Sequence, residues 1–240
     1  IVGGLFVLFD RGVAGLNYPA SELLALGQRR PNFPALESQD GIITTAQLIE
    51  HVDILMAYLA ELGISRLGLI ADNSTDWVIA DLASQAQGIC LVPIPTFFSD
   101  RQMAHVVRSA AVECIAYDTL NSHRVEKLSS SESTKLPGTA DLHCLALASE
   151  FKVALPPGSN KVTYTSGSTG EAKGVCLSFE QCQRVAQSLA NAVDFQDGWR
   201  HLCALPLSTL LENIAGVYMP LLSGGTALVY ATDTLGMAGS

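Results

Sequence analysis

The densest concentration of chemically capable side chains is the run Thr165-Ser166-Gly167-Ser168-Thr169-Gly170-Glu171-Ala172-Lys173-Gly174. Glycines at 167 and 170 let a backbone turn tightly and present its N–H groups. The hydroxyls of Thr165, Ser166, Ser168 and Thr169 and the ammonium of Lys173 add further donors and a positive charge. Those parts suit a polyphosphate: backbone amides in a tight loop form an anion-binding concavity, and a lysine supplies a point charge for oxygens that gain negative charge during transfer. A Walker loop is excluded because Lys173 precedes Gly174 and a strand-like segment follows. The spacing also fails G-x-G-x-x-G, and it fails G-x-S-x-G around Ser166 and Ser168, which argues against a serine nucleophile. A flexible linker of this composition would join domains, whereas this run lies between the apolar segments Val162 to Tyr164 and Val175 to Leu177.

Other reactive residue types are scattered. His51, His105, His123, His143 and His201 have no Cys or Asp at ligand spacing. Cys90, Cys114, Cys144, Cys176, Cys182 and Cys203 lie in apolar runs without a C-x-x-C pair, and read as buried small hydrophobes in a reducing cytoplasm. Asp194 and Asp197 read as loop residues, and Trp77 and Trp199 as packing. No side chain is assigned a catalytic acid, base or nucleophile role.

The elements that must position the loop follow from hydrophobic periodicity. Leu48, Val52, Leu55, Met56 and Leu59 recur at helical spacing over Thr44 to Glu61, with Thr44 and Gln47 as a capping box and Gly63 as a stop. Strands are predicted at Arg66 to Ala71, Cys90 to Ile94, Glu113 to Tyr117, Leu142 to Ala148, Val162 to Tyr164, His201 to Leu205 and Thr226 to Tyr230. Helices are predicted at Trp77 to Gln87, Asp100 to Ala110, Ser178 to Asn191 and Leu210 to Leu222. Strands apolar on both faces, alternating with helices, imply an α/β fold with doubly wound, mostly parallel sheets covered by helices. Residues 119–141, rich in serine and holding Pro137-Gly138, interrupt the alternation as a polar loop or subdomain junction.

Composition bounds the function. Hydrophobic residues make up 48% of the 240 and charged residues 15%, enough apolar surface for a substantial core. Fourteen basic against 23 acidic side chains give a net charge of −9, which excludes a domain built to grip nucleic acid. The apolar stretch Ile1 to Phe9 is too short to cross a bilayer and lacks the basic flank of a signal peptide. Cytoplasmic localisation is the expectation.

Tyr164 to Val175, read as Tyr-Thr-Ser-Gly-Ser-Thr-Gly-x-x-Lys-Gly-Val, resembles the signature loop of the adenylate-forming, or AMP-binding, enzymes: acyl-CoA synthetases, luciferases and peptide-synthetase adenylation domains. It departs from the usual pattern only at Ala172, where proline is usual. Ala35 to Asp118 is similar to the front of fatty acyl-CoA synthetases, through Asn73, Trp77 and Val92-Pro93-Ile94-Pro95. Leu205-Pro206-Leu207-Ser208-Thr209-Leu210-Leu211-Glu212 is similar to the family's next motif, with Thr209 where a histidine is frequent.

The resemblance implies that a carboxylate attacks the α-phosphate of ATP to give an acyl-adenylate and pyrophosphate, after which a thiol, usually coenzyme A, displaces AMP. Thr165, Ser166, Gly167, Ser168, Thr169, Gly170 and Lys173 would then embrace the β- and γ-phosphates, with Thr165 also touching Mg2+. Thr209, Asn213 and Gly216 would line the acyl pocket. The aliphatic segment Leu210 to Leu222 points to a fatty acid. The alternatives are an amino-acid adenylation domain, for which Asp233 is the acid noted near the expected selecting aspartate, and a non-catalytic nucleotide-binding or interaction domain. Nothing in the chain resembles the family's later motifs or its mobile C-terminal domain. Residues 1–240 are therefore expected to be the N-terminal part of a longer enzyme and inactive alone.

Overall fold

Thr44 accepts from the backbone N–H of Gln47 while the Gln47 side chain accepts from the Thr44 N–H, so two otherwise orphaned donors are satisfied where helix α1 (Thr45–Leu62) begins. Gly63, at φ 63°, ends it in the left-handed conformation that favours glycine. Ser74 and Gly88 likewise bound α2 (Thr75–Gln87), and a Ser99/Gln102 box opens α3 (Asp100–Ser109). A further box at Ser178 and Gln181 opens α4 (Phe179–Ala192). A computed structural model describes residues 28–148, 153–165 and 172–236.

The strands are β1 (Pro34–Ser38), β2 (Gly41–Thr44), β3 (Arg66–Ile70), β4 (Cys90–Pro93), β5 (Cys114–Asp118), β6 (Thr134–Lys135), β7 (Leu142–Ala146), β8 (Lys161–Thr165), β9 (Lys173–Leu177), β10 (Arg200–Leu202) and β11 (Thr226–Leu228). Seven form one sheet in the order β6-β7-β5-β3-β4-β8-β9, whose central strands β5, β3, β4 and β8 are parallel. Antiparallel β7 and β6 extend one side and antiparallel β9 the other. The second sheet has the order β10-β11-β1-β2.

Alternation along the central strands divides the core in two. Leu67, Leu69, Leu91, Cys114 and Ala116 face one cluster with α1 and α2, while Ile70, Cys90, Val92, Ile115 and Tyr117 face another with α3. Helices thus cover both faces of the parallel strands, the doubly wound arrangement that the apolar runs imply. Residues 119–141, read as a polar loop or subdomain junction, instead hold successive helical turns over Thr119–Leu128 and strand β6, with Val125 and Leu136 buried in the core, and they connect β5 to β7, neighbours in the same sheet.

Two further features depart from the sequence reading. The hairpin of β1 and β2 is absent from it, because Pro34, Glu37 and Ser38 break the apolar pattern. Glu37 is satisfied only by distant partners, Arg200 at 2.5 Å and the Tyr230 hydroxyl at 3.0 Å. Cys114 and Cys144, read as separate thiols, form a disulfide between β5 and β7. The antiparallel register sets Cys114 opposite Ala146 and Cys144 opposite Ala116, which makes the two cysteines diagonal neighbours with Cα atoms 6.6 Å apart. Cys90, Cys182 and Cys203 are free and buried, as read. No helix among the described residues is long and apolar enough to cross a membrane.

One buried group opposes folding at neutral pH. Asp53 of α1 is 8% exposed and its Oδ1 has no hydrogen-bond partner among the described residues; burial pushes its carboxyl up to about 7. A carboxyl whose folded pKa exceeds its unfolded value binds an extra proton in the fold, so stability falls as pH rises from about 4 toward 7. Asp53→Asn keeps a polar group but removes the charge. Urea unfolding is expected to show the variant gaining on the order of 2 kcal/mol over wild type between about pH 5 and pH 8; parallel stability profiles would contradict this.

Candidate functional site

The carboxyl ends of β3, β4, β5 and β8 lie along one edge of the sheet, where open α/β folds bind ligands. β8 ends there at Thr165. The chain returns on β9 from Lys173, and Thr165 and Lys173 are direct cross-strand partners. Partners directly opposite share a face of the sheet, so the side chains of Thr165 and Lys173, both exposed, leave the same face at the base of the intervening segment. Ser166, Gly167, Ser168, Thr169 and Gly170 lie outside the described residues.

The glycine after the lysine has a steric reason. A Cβ on Gly174 would meet Val162 Cγ1 at 3.0 Å and Tyr164 Cζ at 3.1 Å, so Gly174 lets the Tyr164 ring lie across the hairpin.

The second predicted motif is held from beneath by Asn73, 2% exposed, whose amide donates to the Leu205 carbonyl at 2.9 Å and accepts from the Leu207 N–H at 2.7 Å. Its neighbour Asp72 accepts from the N–H and hydroxyl of Thr232. Together these place Pro206 to Thr209 and the 231–233 turn around the start of α2. A cleft of about 220 Å³ opens there, lined among others by Asp72, Asn73, Asp76, Asp118 and Asp233. Among the described residues, no three His, Cys, Asp or Glu side chains converge as a metal site.

Residues 210–222 form one helical rod, α-helical at Leu210–Glu212 and Met219–Leu222 and π-helical at Asn213–Tyr218. In an α-helix residues five apart point about 140° away from each other. The wider π turn brings Asn213 and Tyr218 toward one side, and π segments recur at functional sites. Both reach Lys161, the first residue of β8, which is 1% exposed. Its Nζ donates to Asp81 Oδ1 at 2.8 Å, Asn213 Oδ1 at 2.5 Å and Tyr218 Oη at 2.6 Å. Asn213 and Tyr218 donate in turn to Asp81 Oδ2, at 2.9 and 2.6 Å. Burial, followed by the Asp81 charge, pushes the Tyr218 hydroxyl well above its ordinary pKa, so it stays a donor.

Of the residues expected at the acid, Thr209 is half-buried and donates to the Pro206 carbonyl at 2.7 Å. Asn213 is committed to Lys161 and Asp81. Gly216 lies where a Cβ would stand 2.8 Å from Cys203 Sγ and 2.9 Å from Glu212 Oε1. Glu212, named in the sequence reading only as the last residue of the second motif, is an acid in this segment with a role of its own. It is 8% exposed, accepts from the N–H of Ala204 at 2.9 Å, and its carboxyl is raised by burial. Lys161 and Asp81 were missed as well. The available signal was a single charge in each of two apolar runs, Lys161-Val162-Thr163-Tyr164 and Val78-Ile79-Ala80-Asp81-Leu82-Ala83.

A family model described as AMP-binding enzyme matches residues 25–238. In sequence, the chain is 31% identical over 157 residues to a nonribosomal peptide synthetase, inpB, of Emericella nidulans, covering 63% of this chain and 7% of that one. In structure, it resembles the N-terminal domain of FACL13 from Mycobacterium tuberculosis, with TM-score 0.71 and 20% identity over 90% of this chain and 57% of that one. It also resembles O-succinylbenzoate coenzyme A synthetase from Bacillus subtilis, solved with ATP and a magnesium ion, with TM-score 0.71 and 20% identity over 89% and 59% of the two chains. The likeness to these two structures shows the fold. The chain spans less than two thirds of each of these relatives.

Proposed function

This chain belongs to the AMP-binding enzyme family, and from that premise we propose that it supplies the phosphate-gripping part of an enzyme that activates a carboxylic acid with Mg·ATP. One carboxylate oxygen bonds to the α-phosphorus, and the bond to the bridging oxygen breaks as pyrophosphate leaves. A thiol then attacks the acyl carbonyl and releases AMP. The observation that carries the reading is the pairing of Thr165 with Lys173 across the base of the Gly/Ser/Thr segment, at the carboxyl edge of the parallel strands. Donors and a cation at that point stabilise charge as it builds on the leaving pyrophosphate. In this reading Thr165, Ser166, Gly167, Ser168, Thr169, Gly170 and Lys173 hold the β- and γ-phosphates, and the Thr165 hydroxyl faces Mg2+.

For the acid, we favour one without an α-amino group. Glu212 in the acid-side segment is spent on the backbone N–H of Ala204 and so is not free to meet an amino group, while the neighbouring aliphatic Leu211 is exposed. Fatty acids and transfer to coenzyme A are then the first choice. A second reading, an amino-acid adenylation domain loading a carrier-protein thiol, is favoured by the similarity to a nonribosomal peptide synthetase. Pyrophosphate exchange into ATP, measured on the full-length gene product with fatty, aromatic and amino acids, tests both. Exchange with fatty acids is expected. Exchange with amino acids alone would select the second reading, and no exchange with any acid would overturn the activity.

A further inference from the structure

The ends of segment 166–171 are held by one helix. On the incoming side, the Tyr164 hydroxyl shares a 2.6 Å hydrogen bond with Ser109 Oγ. On the outgoing side, His105 Nε2 donates to the Ala172 carbonyl at 2.9 Å, and the His105 ring meets Tyr164 edge to face at 6.4 Å between centroids. Ala172 and Tyr164 are both buried, and both belong to the cluster that holds Met103 and Val106 of α3. His105 and Ser109 are four residues apart, hence on one face of α3. The helix is itself anchored at its start: Arg124 pairs with Asp100 at 2.9 Å and donates to the carbonyls of Thr96 and Phe98.

We propose that α3 is the positioning element of the phosphate-binding segment, with His105 and Ser109 as the positioning residues that fix the carbonyl of Ala172 and the ring of Tyr164. The inference rests on the reading of that segment given above. Tyr164 and Ala172 stand on either side of that segment, so their positions set the separation of the chain ends that enter and leave it. Holding both flanking residues from one helix fixes that separation before ATP arrives, and a separation fixed in advance lowers the ordering cost of binding. Among the described residues, His105 and Ser109 bond to Ala172, Val106 and Tyr164 and to none of the 210–222 helix, so the effect is expected on the nucleotide and not on the acid.

The test uses the full-length protein and three variants, His105→Leu, His105→Gln and Ser109→Ala, with exchange kinetics and calorimetric titration of Mg·ATP. His105→Leu is expected to raise KM for ATP about five- to tenfold, as for loss of one partly buried hydrogen bond, while KM for the acid changes less than about twofold. His105→Gln, whose amide N–H can reach the Ala172 carbonyl, is expected to recover most of the loss. Ser109→Ala is expected to shift KM for ATP in the same direction, and carries the test should His105→Leu fail to fold. An unchanged KM for ATP, equal effects on ATP and acid, or a glutamine variant as poor as leucine would overturn the proposal. A wild type without exchange activity would defeat the reading of function but not this one. Weaker Mg·ATP binding by His105→Leu would still support the role of α3, and equal binding would overturn it.

Discussion

Lys173→Ala is expected to slow acid-dependent pyrophosphate exchange by about a hundredfold or more, the scale seen when one preorganised group facing developing charge is removed. In the proposed reaction the bond from the α-phosphorus to its bridging oxygen breaks as the carboxylate attacks, and negative charge accumulates on the departing pyrophosphate. Lys173 opens β9 directly opposite Thr165, so in this reading its ammonium serves the same site as the Thr165 hydroxyl. Its attraction for the leaving group is stronger in the transition state than for bound ATP. The loss should therefore fall on kcat as well as kcat/KM. The side chain is exposed, so the thermal midpoint should be almost unaffected, which separates a chemical loss from unfolding. Exchange within about threefold of wild type would show that the cation does not serve the leaving group.

Lys161→Met carries the largest expected effect on stability. A lysine 1% exposed beside an aspartate 0% exposed survives burial because Asp81, Asn213 and Tyr218 satisfy its three protons. Removing the ammonium alone leaves the Asp81 charge in the core and deprives two dipoles of a partner, at a cost of about 3–5 kcal/mol. Replacing both charges, as Lys161→Met with Asp81→Leu, removes the stranded charge and should restore most of that loss. Urea unfolding of the two single variants and the double variant measures the coupling. A single variant within about 1 kcal/mol of wild type would show that the pair is not the strut joining β8, α2 and the 210–222 helix.

Local rules made much of this fold legible. Thr44 with Gln47 and then Gly63 delimit α1 because capping acts within one turn, and the apolar runs around Leu69, Val92 and Ile115 mark central strands because both faces are buried. The Gly/Ser/Thr segment stands out in the sequence because its hydroxyls, glycines and lysine are contiguous, and the described residues place its Thr165 opposite its Lys173. What escaped depends on partners distant in sequence. Glu37 becomes a strand residue through Arg200, Cys114 meets Cys144 through sheet register, and Lys161 meets Asp81 only once β8 lies beside α2. The π turn at Asn213–Tyr218 has the apolar periodicity of an ordinary helix, and its winding is visible only in three dimensions, where it turns two polar side chains toward Lys161. Asn213 and Gly216, carried over as acid-side positions, have tertiary roles of their own: one bonds to the buried pair, and the other allows Cys203 and Glu212 to approach.

The central claim, that an acid's carboxylate attacks the α-phosphorus of ATP held at this hairpin, is tested most directly by following oxygen. Acid labelled with oxygen-18 in its carboxylate, turned over by the full-length protein with Mg·ATP and a thiol, should deliver one labelled oxygen to AMP and none to pyrophosphate. Label in pyrophosphate or inorganic phosphate, or AMP formed without label, would contradict it.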